Sequence, residues 1–196
     1  MTSGVEAFGR ALDGFENVLR EFGDPEWGSL SPCDPWTALD VAGHVIGGLR
    51  WAAGLVEGSD ALDAIRTEGF SNPSAFAVPA PLTAFVSARS QLDEAVGLAG
   101  SEKVLSWPFG ERSVDTGLEW FSLEVLVHTW DLAGAKGSEV RLDPLLVHQH
   151  LVRLRPLSSY LRGPGMYGPE LEAPAGADEQ EQFLAFLGRR SVTTDA

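Results

Sequence analysis

Cysteine is almost absent from this sequence, which has a single cysteine, Cys33, among 196 residues. One cysteine excludes an internal disulfide and is typical of proteins in a reducing compartment. The opening residues, MTSGVEAFGRALDGFENVL, lack a basic segment followed by a continuous apolar run, so we expect no signal peptide. No apolar stretch approaches the roughly 20 residues that span a bilayer. These features predict a soluble, cytoplasmic protein.

Basic side chains are also scarce. The sequence has 14 lysines and arginines against 28 aspartates and glutamates, which gives a net charge of −14. A surface this acidic repels phosphate groups, so neither nucleic acids nor anionic membranes are expected partners. We expect small-molecule partners instead, and a chain that is either a monomer or a homodimer.

Hydrophobic residues make up 44% of the chain and recur with the spacing of amphipathic helices. This periodicity predicts four long helices, in segments 5–22, 37–58, 81–100 and 115–137. Shorter helices are predicted after Asp143 and from Asp178. No region has the regular hairpin turns of a β-rich protein, so we predict an all-α four-helix bundle. Two connections are longer than a tight turn, which leaves the up-down order of the helices open.

The composition of the chain changes near its end. Glycine and proline are frequent after residue 160, in RGPGMYGPELEAPAG, before the short last helix. We predict a helical bundle over residues 1–160 and a C-terminal tail over residues 161–196 that packs on it. The segment RGPGMYG is open to two interpretations, a flexible lid or a turn.

A polar pair interrupts an apolar predicted helix, in the segment EVLVHTWDL. Glu124 and His128 are four residues apart, so they project from one face of the helix. Burying either group without a partner is costly. Three arrangements would satisfy them: a bond to each other, bonds to other polar groups, or joint coordination of a metal.

A third candidate, His44, lies in the unusual helical segment AGHVIGG. Each glycine inside a helix is destabilising by about 1 kcal/mol relative to alanine, so three of them indicate a close approach by another backbone or a ligand. His44, Glu124 and His128 together form a set of two histidines and one carboxylate. Such a set suits Zn²⁺ with a fourth position open, and it also suits Fe²⁺ or Ni²⁺.

Two aspartates lie one turn from these histidines. Asp40 precedes His44 and is interpreted either as a carboxylate that orients the imidazole or as a helix cap with Thr37. Asp131 follows His128 and is the candidate catalytic residue, meeting substrate or orienting His128. The alternative for Asp131 is a solvated charge or a bond to the backbone.

Other reactive residues give weaker signals. Cys33 has no cationic neighbour in sequence to lower its pKa, so a catalytic role is not expected. His148 and His150 are two residues apart, point to different sides of a helix and are poor joint ligands. Arg50 and Arg112 are considered as partners for a substrate carboxylate, with solvated surface charge as the alternative.

Two motif-bearing segments, SPCDPWTALDVAGHVIGG and LEVLVHTWDLAGAKG, resemble the mycothiol-dependent maleylpyruvate isomerase N-terminal family of DinB-like metal-binding four-helix proteins. The ending, APAGADEQEQFLAFLGRR, is similar to a single-domain subgroup. The resemblance implies a divalent metal, usually zinc, held by His44, Glu124 and His128. The isomerase carries an additional C-terminal domain, and this sequence has a short tail in its place, so maleylpyruvate itself is not implied.

The resemblance implies a metal-bound thiol, mycothiol, that attacks a small electrophilic substrate, so we expect a thiol-dependent transferase or isomerase. Two alternatives stay open. One is a metal-dependent hydrolase, in which a bound water is activated and Asp131 is the only obvious general base. The other is a non-catalytic protein that binds a metal or a thiol.

Overall fold

The structure, a computed structural model, describes residues 2–158 and 167–190. Four long helices form the body of the fold: α1 (Gly4–Leu19), α2 (Ala38–Glu57), α4 (Pro81–Ala99) and α5 (Val114–Ala135). Helix α1 packs along α5, and α2 packs between α4 and α5. The predicted all-α, DinB-like bundle is confirmed.

The connections between the long helices contain short elements. Helix α3 (Leu62–Ser71) and a 3-10 turn at Pro73–Phe76 lie between α2 and α4. An antiparallel hairpin, β1 (Val104–Trp107) with β2 (Gly110–Ser113), joins α4 to α5. The hairpin brings the ring of Trp107 against helix α5, where a Cβ at Gly117 would lie 2.0 Å from that ring. The glycine is therefore required for this contact.

The starts of the helices follow local capping chemistry. The side chain of Thr37 accepts a bond from the Asp40 backbone N–H at the start of α2, and the Asp40 carboxylate accepts from the Thr37 backbone. This is the capping box that the sequence predicts. Ser113 caps α5 in the same way, through the backbone N–H of Thr116. These caps fix where α2 and α5 begin.

Two glycines of α2, close to His44 in sequence, allow the segment after α3 to pack closely on the helix. A Cβ at Gly43 would lie 2.0 Å from the carbonyl oxygen of Pro73, and one at Gly47 would lie 3.0 Å from the ring of Phe76. The glycine-rich segment predicts that another group approaches α2 closely. The backbone of Pro73 does so at Gly43, and the ring of Phe76 does so at Gly47. This close packing holds the segment after α3 tightly against α2.

The last described elements lie against the bundle. Helix α6 (Pro144–Leu154) packs on α7 (Glu179–Phe186), and residues 167–190 contact α5 through side chains described below. The predicted domain boundary at residues 160–161 and most of the RGPGMYG segment lie outside the described residues, so both stay predictions. In the described part of the chain, no helix combines the length and apolar content that a membrane crossing needs.

His150 is a buried histidine that stabilises the contact between α5 and α6. The hydroxyl of Ser122 donates to the carbonyl of Glu119, so it accepts a bond from Nε2–H of His150 at 2.9 Å. Burial, followed by the positive charge of Arg153, lowers the pKa of His150 to about 4. Its neutral form is therefore the one that the fold accommodates.

We predict that the free energy of unfolding falls less in His150→Gln than in the wild-type protein when the pH is lowered. The unfolded imidazole has a pKa near 6.5, so the unfolded state binds more protons between pH 6.5 and 4 and stability falls as the pH falls through that window. Over it, the loss should be smaller in the variant by ~2–3 kcal/mol, measured by urea unfolding. His148→Gln, on the exposed side of α6, is the control for the loss of an imidazole that is not buried. Identical pH profiles for His150→Gln and wild type would contradict the prediction.

Candidate metal centre

The packing of α2 on α5 brings His44, Glu124 and His128 together. One donor atom from each side chain lies within 4.8 Å of the others. Nε2 of His128 and Oε2 of Glu124 are 3.9 Å apart, which is too long for a hydrogen bond. Of the three arrangements considered from sequence, a direct bond between these two groups is therefore not the one found. Two ligands of a tetrahedral zinc are separated by roughly 3.3 Å, close to this spacing.

The second nitrogen of each imidazole is held by an outer partner. Nδ1 of His44 is 2.9 Å from the carbonyl oxygen of Gly69, and Nδ1 of His128 is 3.0 Å from Oδ2 of Asp131. A carbonyl only accepts hydrogen bonds, so His44 carries its proton on Nδ1 and leaves the lone pair of Nε2 free. The ionised Asp131 selects the same tautomer of His128. This arrangement is typical of metal-ligating histidines.

Burial keeps His44 neutral. Burial first, and then the neighbouring His128, lower the pKa of His44 to about 4. A neutral imidazole is the form that binds a metal, whereas a protonated one has no lone pair to offer. The two histidines and Glu124 therefore have the donor types, the tautomer and the spacing that a divalent metal requires.

The carboxylate of Asp131 is paired with Arg189 from the C-terminal segment. Nη2 of Arg189 donates to Oδ2 at 2.9 Å and Nε donates to Oδ1 at 3.2 Å. Burial alone would raise the pKa of Asp131, but hydrogen bonds from His128 and Arg189 hold it below its ordinary value. Asp131 has no exposed surface, so its contacts are those of a residue that positions His128.

Glu124 also has an outer partner from the C-terminal segment. The hydroxyl of Tyr167 donates to Oε1 at 2.6 Å, which leaves Oε2 directed towards His128. Burial and the adjacent Glu124 raise the pKa of Tyr167 well above its ordinary value, so the phenol stays protonated and remains a donor. Each of the three candidate ligands thus has one atom fixed from outside and one atom facing the common centre.

Asp40 is placed at the start of α2 rather than beside the imidazole. Its carboxylate accepts from both the backbone and the hydroxyl of Thr37, and Ser74 also bonds to it. The described partner of Nδ1 in His44 is Gly69. The contacts of Asp40 therefore match the capping interpretation, and a carbonyl of α3 orients the histidine.

A second group of possible ligands, Cys33, His128 and Asp131, overlaps the first. Burial, followed by the charge of Asp131, raises the pKa of Cys33 to about 11, so the thiol holds its proton at neutral pH. Metals bind the thiolate, and Asp131 is already engaged by Arg189. The set of His44, Glu124 and His128 is the better match to a metal.

The three candidate ligands lie in the part of the chain that matches a known protein family. A family model for the mycothiol maleylpyruvate isomerase N-terminal domain matches residues 8–133. The chain belongs to this family. The resemblance read from the two sequence segments is confirmed, and it covers all three ligands and Asp131. Tyr167 and Arg189 lie beyond the matched region. The outer contacts that they make therefore come from a part of this family member that the family model does not cover.

Two similar proteins are both described as uncharacterised. They come from Mycobacterium tuberculosis strains CDC 1551 and ATCC 25618. Each is 31% identical to this chain over 196 residues, and the alignment covers 92% of this chain and 94% of the relative. No solved structure matches this chain at a significant level. The similarity to these relatives therefore extends beyond the residues that the family model matches, without adding an activity.

Several contacts of this family member were not predicted from sequence. The ring of Trp36 lies 4.6 Å from the ring of His44 and 5.9 Å from that of His128, so it covers one side of the donors. Tyr167 reaches the candidate ligand Glu124, and Arg189 reaches Asp131, from parts of the chain beyond the four predicted long helices. A motif containing Trp36 is visible in the sequence, but no pattern in the tail connects Tyr167 or Arg189 to α5.

The arginines considered for a substrate carboxylate are directed elsewhere. The guanidinium of Arg50 lies over the ring of Phe76 at 5.5 Å, and Nη1 of Arg112 donates to the carbonyl of Glu111 at 2.6 Å. Neither lines the cavity next to the donors. That cavity has a volume of about 450 Å³, and His44, Glu124 and His128 form part of its wall. The donors are therefore accessible from one side.

We predict that Asp131→Asn lowers the free energy of unfolding by about 3 kcal/mol or more, because it leaves the guanidinium of Arg189 buried without its anion. Urea unfolding of the purified variants measures the change. The control is Asp13→Asn, since Asp13 is paired with Arg89 at 2.7 Å but is 65% exposed. Losing that surface pair should cost about 1 kcal/mol or less. Equal losses in the two variants would show that the buried pair has no special role.

Proposed function

We propose that the protein binds a divalent metal, preferably Zn²⁺, through His44, Glu124 and His128, and that it is a mycothiol-dependent transferase or isomerase acting on a small electrophile. The proposal rests on one observation. Three donor side chains, each held by a hydrogen bond to another residue, converge at the wall of a cavity. Three protein ligands and one open position are the pattern of catalytic rather than structural zinc sites. Ni²⁺ and Fe²⁺ are accepted by the same donor types.

The residues of the chain have separate tasks in this proposal. Gly69 and Asp131 fix the tautomers of the two histidines, and Tyr167 fixes the rotamer of Glu124. Trp36 covers the donors on one side, which keeps water from approaching there. The bound cation would favour the thiolate form of a thiol in the open position, and thiolate is the nucleophilic form.

The proposed chemistry conserves atoms and charge. In a transfer, the thiol gives up its proton, a carbon–sulfur bond forms, and the leaving group departs with the electron pair of the broken bond and takes up a proton. In an isomerisation, sulfur adds to an activated double bond, the resulting single bond rotates, and the same thiol is expelled. No external oxidant or reductant is needed in either case.

The hydrolase alternative has less support. A hydrolase of this kind needs a general base within reach of the activated water. Asp131 was the candidate, but it is fully buried and both of its oxygens accept bonds from other residues. We also propose a cytoplasmic location, since the single Cys33 and the proposed thiol chemistry both suit a reducing compartment.

We predict that His44→Ala and His128→Ala each reduce zinc content to a small fraction of the wild-type occupancy while helicity is retained. Loss of one of three protein ligands removes most of the affinity of a zinc site. Elemental analysis after dialysis against zinc-buffered solution gives the occupancy, and circular dichroism gives the helicity. His148→Ala, on an exposed face far from the site, is the matched control. Full occupancy in both site variants would refute the proposed metal centre.

Catalysis is tested separately from metal binding. We expect zinc-loaded protein either to consume mycothiol in the presence of an electrophile, as a transferase does, or to isomerise an activated alkene only when mycothiol is present, as an isomerase does. His128→Ala or prior chelation should abolish either reaction. The assay follows free thiol and the cis or trans geometry of the alkenes over time, with a panel of activated alkenes, epoxides and compounds with a leaving group. Metal bound at full occupancy with neither thiol consumption nor mycothiol-dependent isomerisation across the panel would favour the non-catalytic alternative.

A further inference from the structure

The cavity beside the candidate ligands has the size of a small-molecule site. Its volume of about 450 Å³ lies within the range of roughly 300–1,000 Å³ found for such sites. Helices α2, α3 and α5 and the β1–β2 turn contribute to its wall, and Tyr167 closes one part. A ligand in this cavity would lie against the donor residues and against a lining that is otherwise mostly apolar.

Aromatic rings make up much of the wall. The rings of Trp51 and Phe121 are parallel within 2° at a centroid distance of 5.5 Å. Phe109 and Trp120, whose rings are 5.7 Å apart, form another part of the lining. At the side of α3, Phe70 is 64% exposed and its ring lies 5.1 Å from that of His44. Flat aromatic surfaces of this kind favour a planar, apolar ligand that stacks on them.

Fixed positive charge is scarce along this wall. Among the described lining residues, Arg66 is the one arginine, and no lysine is present. Arg66 is 57% exposed and pairs with Asp63 on its own helix at 3.5 Å. Away from the candidate metal ligands, a carboxylate in the cavity would lose its hydration without gaining a buried cationic partner among the described lining residues, which is costly. The overall charge of −14 further disfavours an anionic substrate.

We propose that this cavity binds the planar, apolar part of an uncharged electrophile, such as an aromatic or conjugated compound. The assignment of its reactive end to the metal side rests on the proposed function above. A dicarboxylate such as maleylpyruvate, for which the family is named, does not suit this wall. The specificity of this chain is therefore for a hydrophobic substrate.

Gly48 provides a way to fill the cavity without disturbing the bundle. A Cβ at Gly48 would find Phe121 at 4.0 Å as its nearest neighbour, and Gly48 is part of the cavity lining. A leucine at this position would project into the space where the ligand stacks. Gly97 of α4 is a matched control, because it is an exposed helical glycine whose Cβ would contact nothing within 4 Å.

The test is a fluorescence titration of zinc-loaded protein with N-phenyl-1-naphthylamine, an uncharged aromatic probe. We expect saturable binding, a Kd weakened at least about tenfold by Gly48→Leu, and no change in Gly97→Leu. Maleate, a small dicarboxylate, should not displace the probe. Unchanged binding in Gly48→Leu, or displacement by maleate at a concentration comparable with the probe's Kd, would overturn the proposal.

Zinc content and probe binding are measured on the same samples, so the two proposals fail separately. Normal zinc content in Gly48→Leu with lost probe binding supports the cavity assignment. A different result is possible if the wild-type protein fails to retain zinc. If that zinc-free protein binds the probe and Gly48→Leu abolishes the binding, the proposed metal centre is refuted and the apolar cavity is supported. Retained zinc with no probe binding in the wild-type protein would refute the cavity assignment alone.

Discussion

The buried carboxylate of Asp131 is the contact on which the candidate site depends. It accepts a bond from His128 of its own helix and two from Arg189 of the C-terminal segment. Burying either charge alone would be strongly unfavourable, so each requires the other. The same carboxylate decides which nitrogen of His128 carries the proton and therefore which nitrogen faces His44 and Glu124. One ion pair thus ties the end of the chain to the protonation state of a candidate metal ligand.

The glycines of α2 have different roles in building the site, although the sequence presents them as one group. Gly43 and Gly47 admit the backbone of Pro73 and the ring of Phe76, which pack the segment after α3 against α2. Gly48 instead leaves space beside Phe121, in the cavity. Close packing on one side of His44 and an apolar opening on the other give a rigid, neutral imidazole at the edge of a hydrophobic space.

Much of the fold could be predicted because it depends on local periodicity and capping. The long helices, the box of Thr37 with Asp40 and the four-residue spacing of Glu124 and His128 are all local features. Local reasoning was less informative for Asp40, whose distance of one turn from His44 fitted two roles equally. Helix α3, which lies between the long helices α2 and α4, supplies the carbonyl of Gly69 that holds His44. A backbone carbonyl has no signature in the sequence.

The sequence by itself determined that Glu124, His128 and Asp131 share one side of a helix, because residues three and four apart are neighbours on any α-helix. Only the tertiary structure decided which of them faces His44 and which is buried behind. That division depends on Arg189 and Tyr167, which lie 58 residues from Asp131 and 43 from Glu124 along the chain. No helical period relates residues so far apart. Their meeting is fixed by packing of the C-terminal segment against α5, where charge pairing and burial act together.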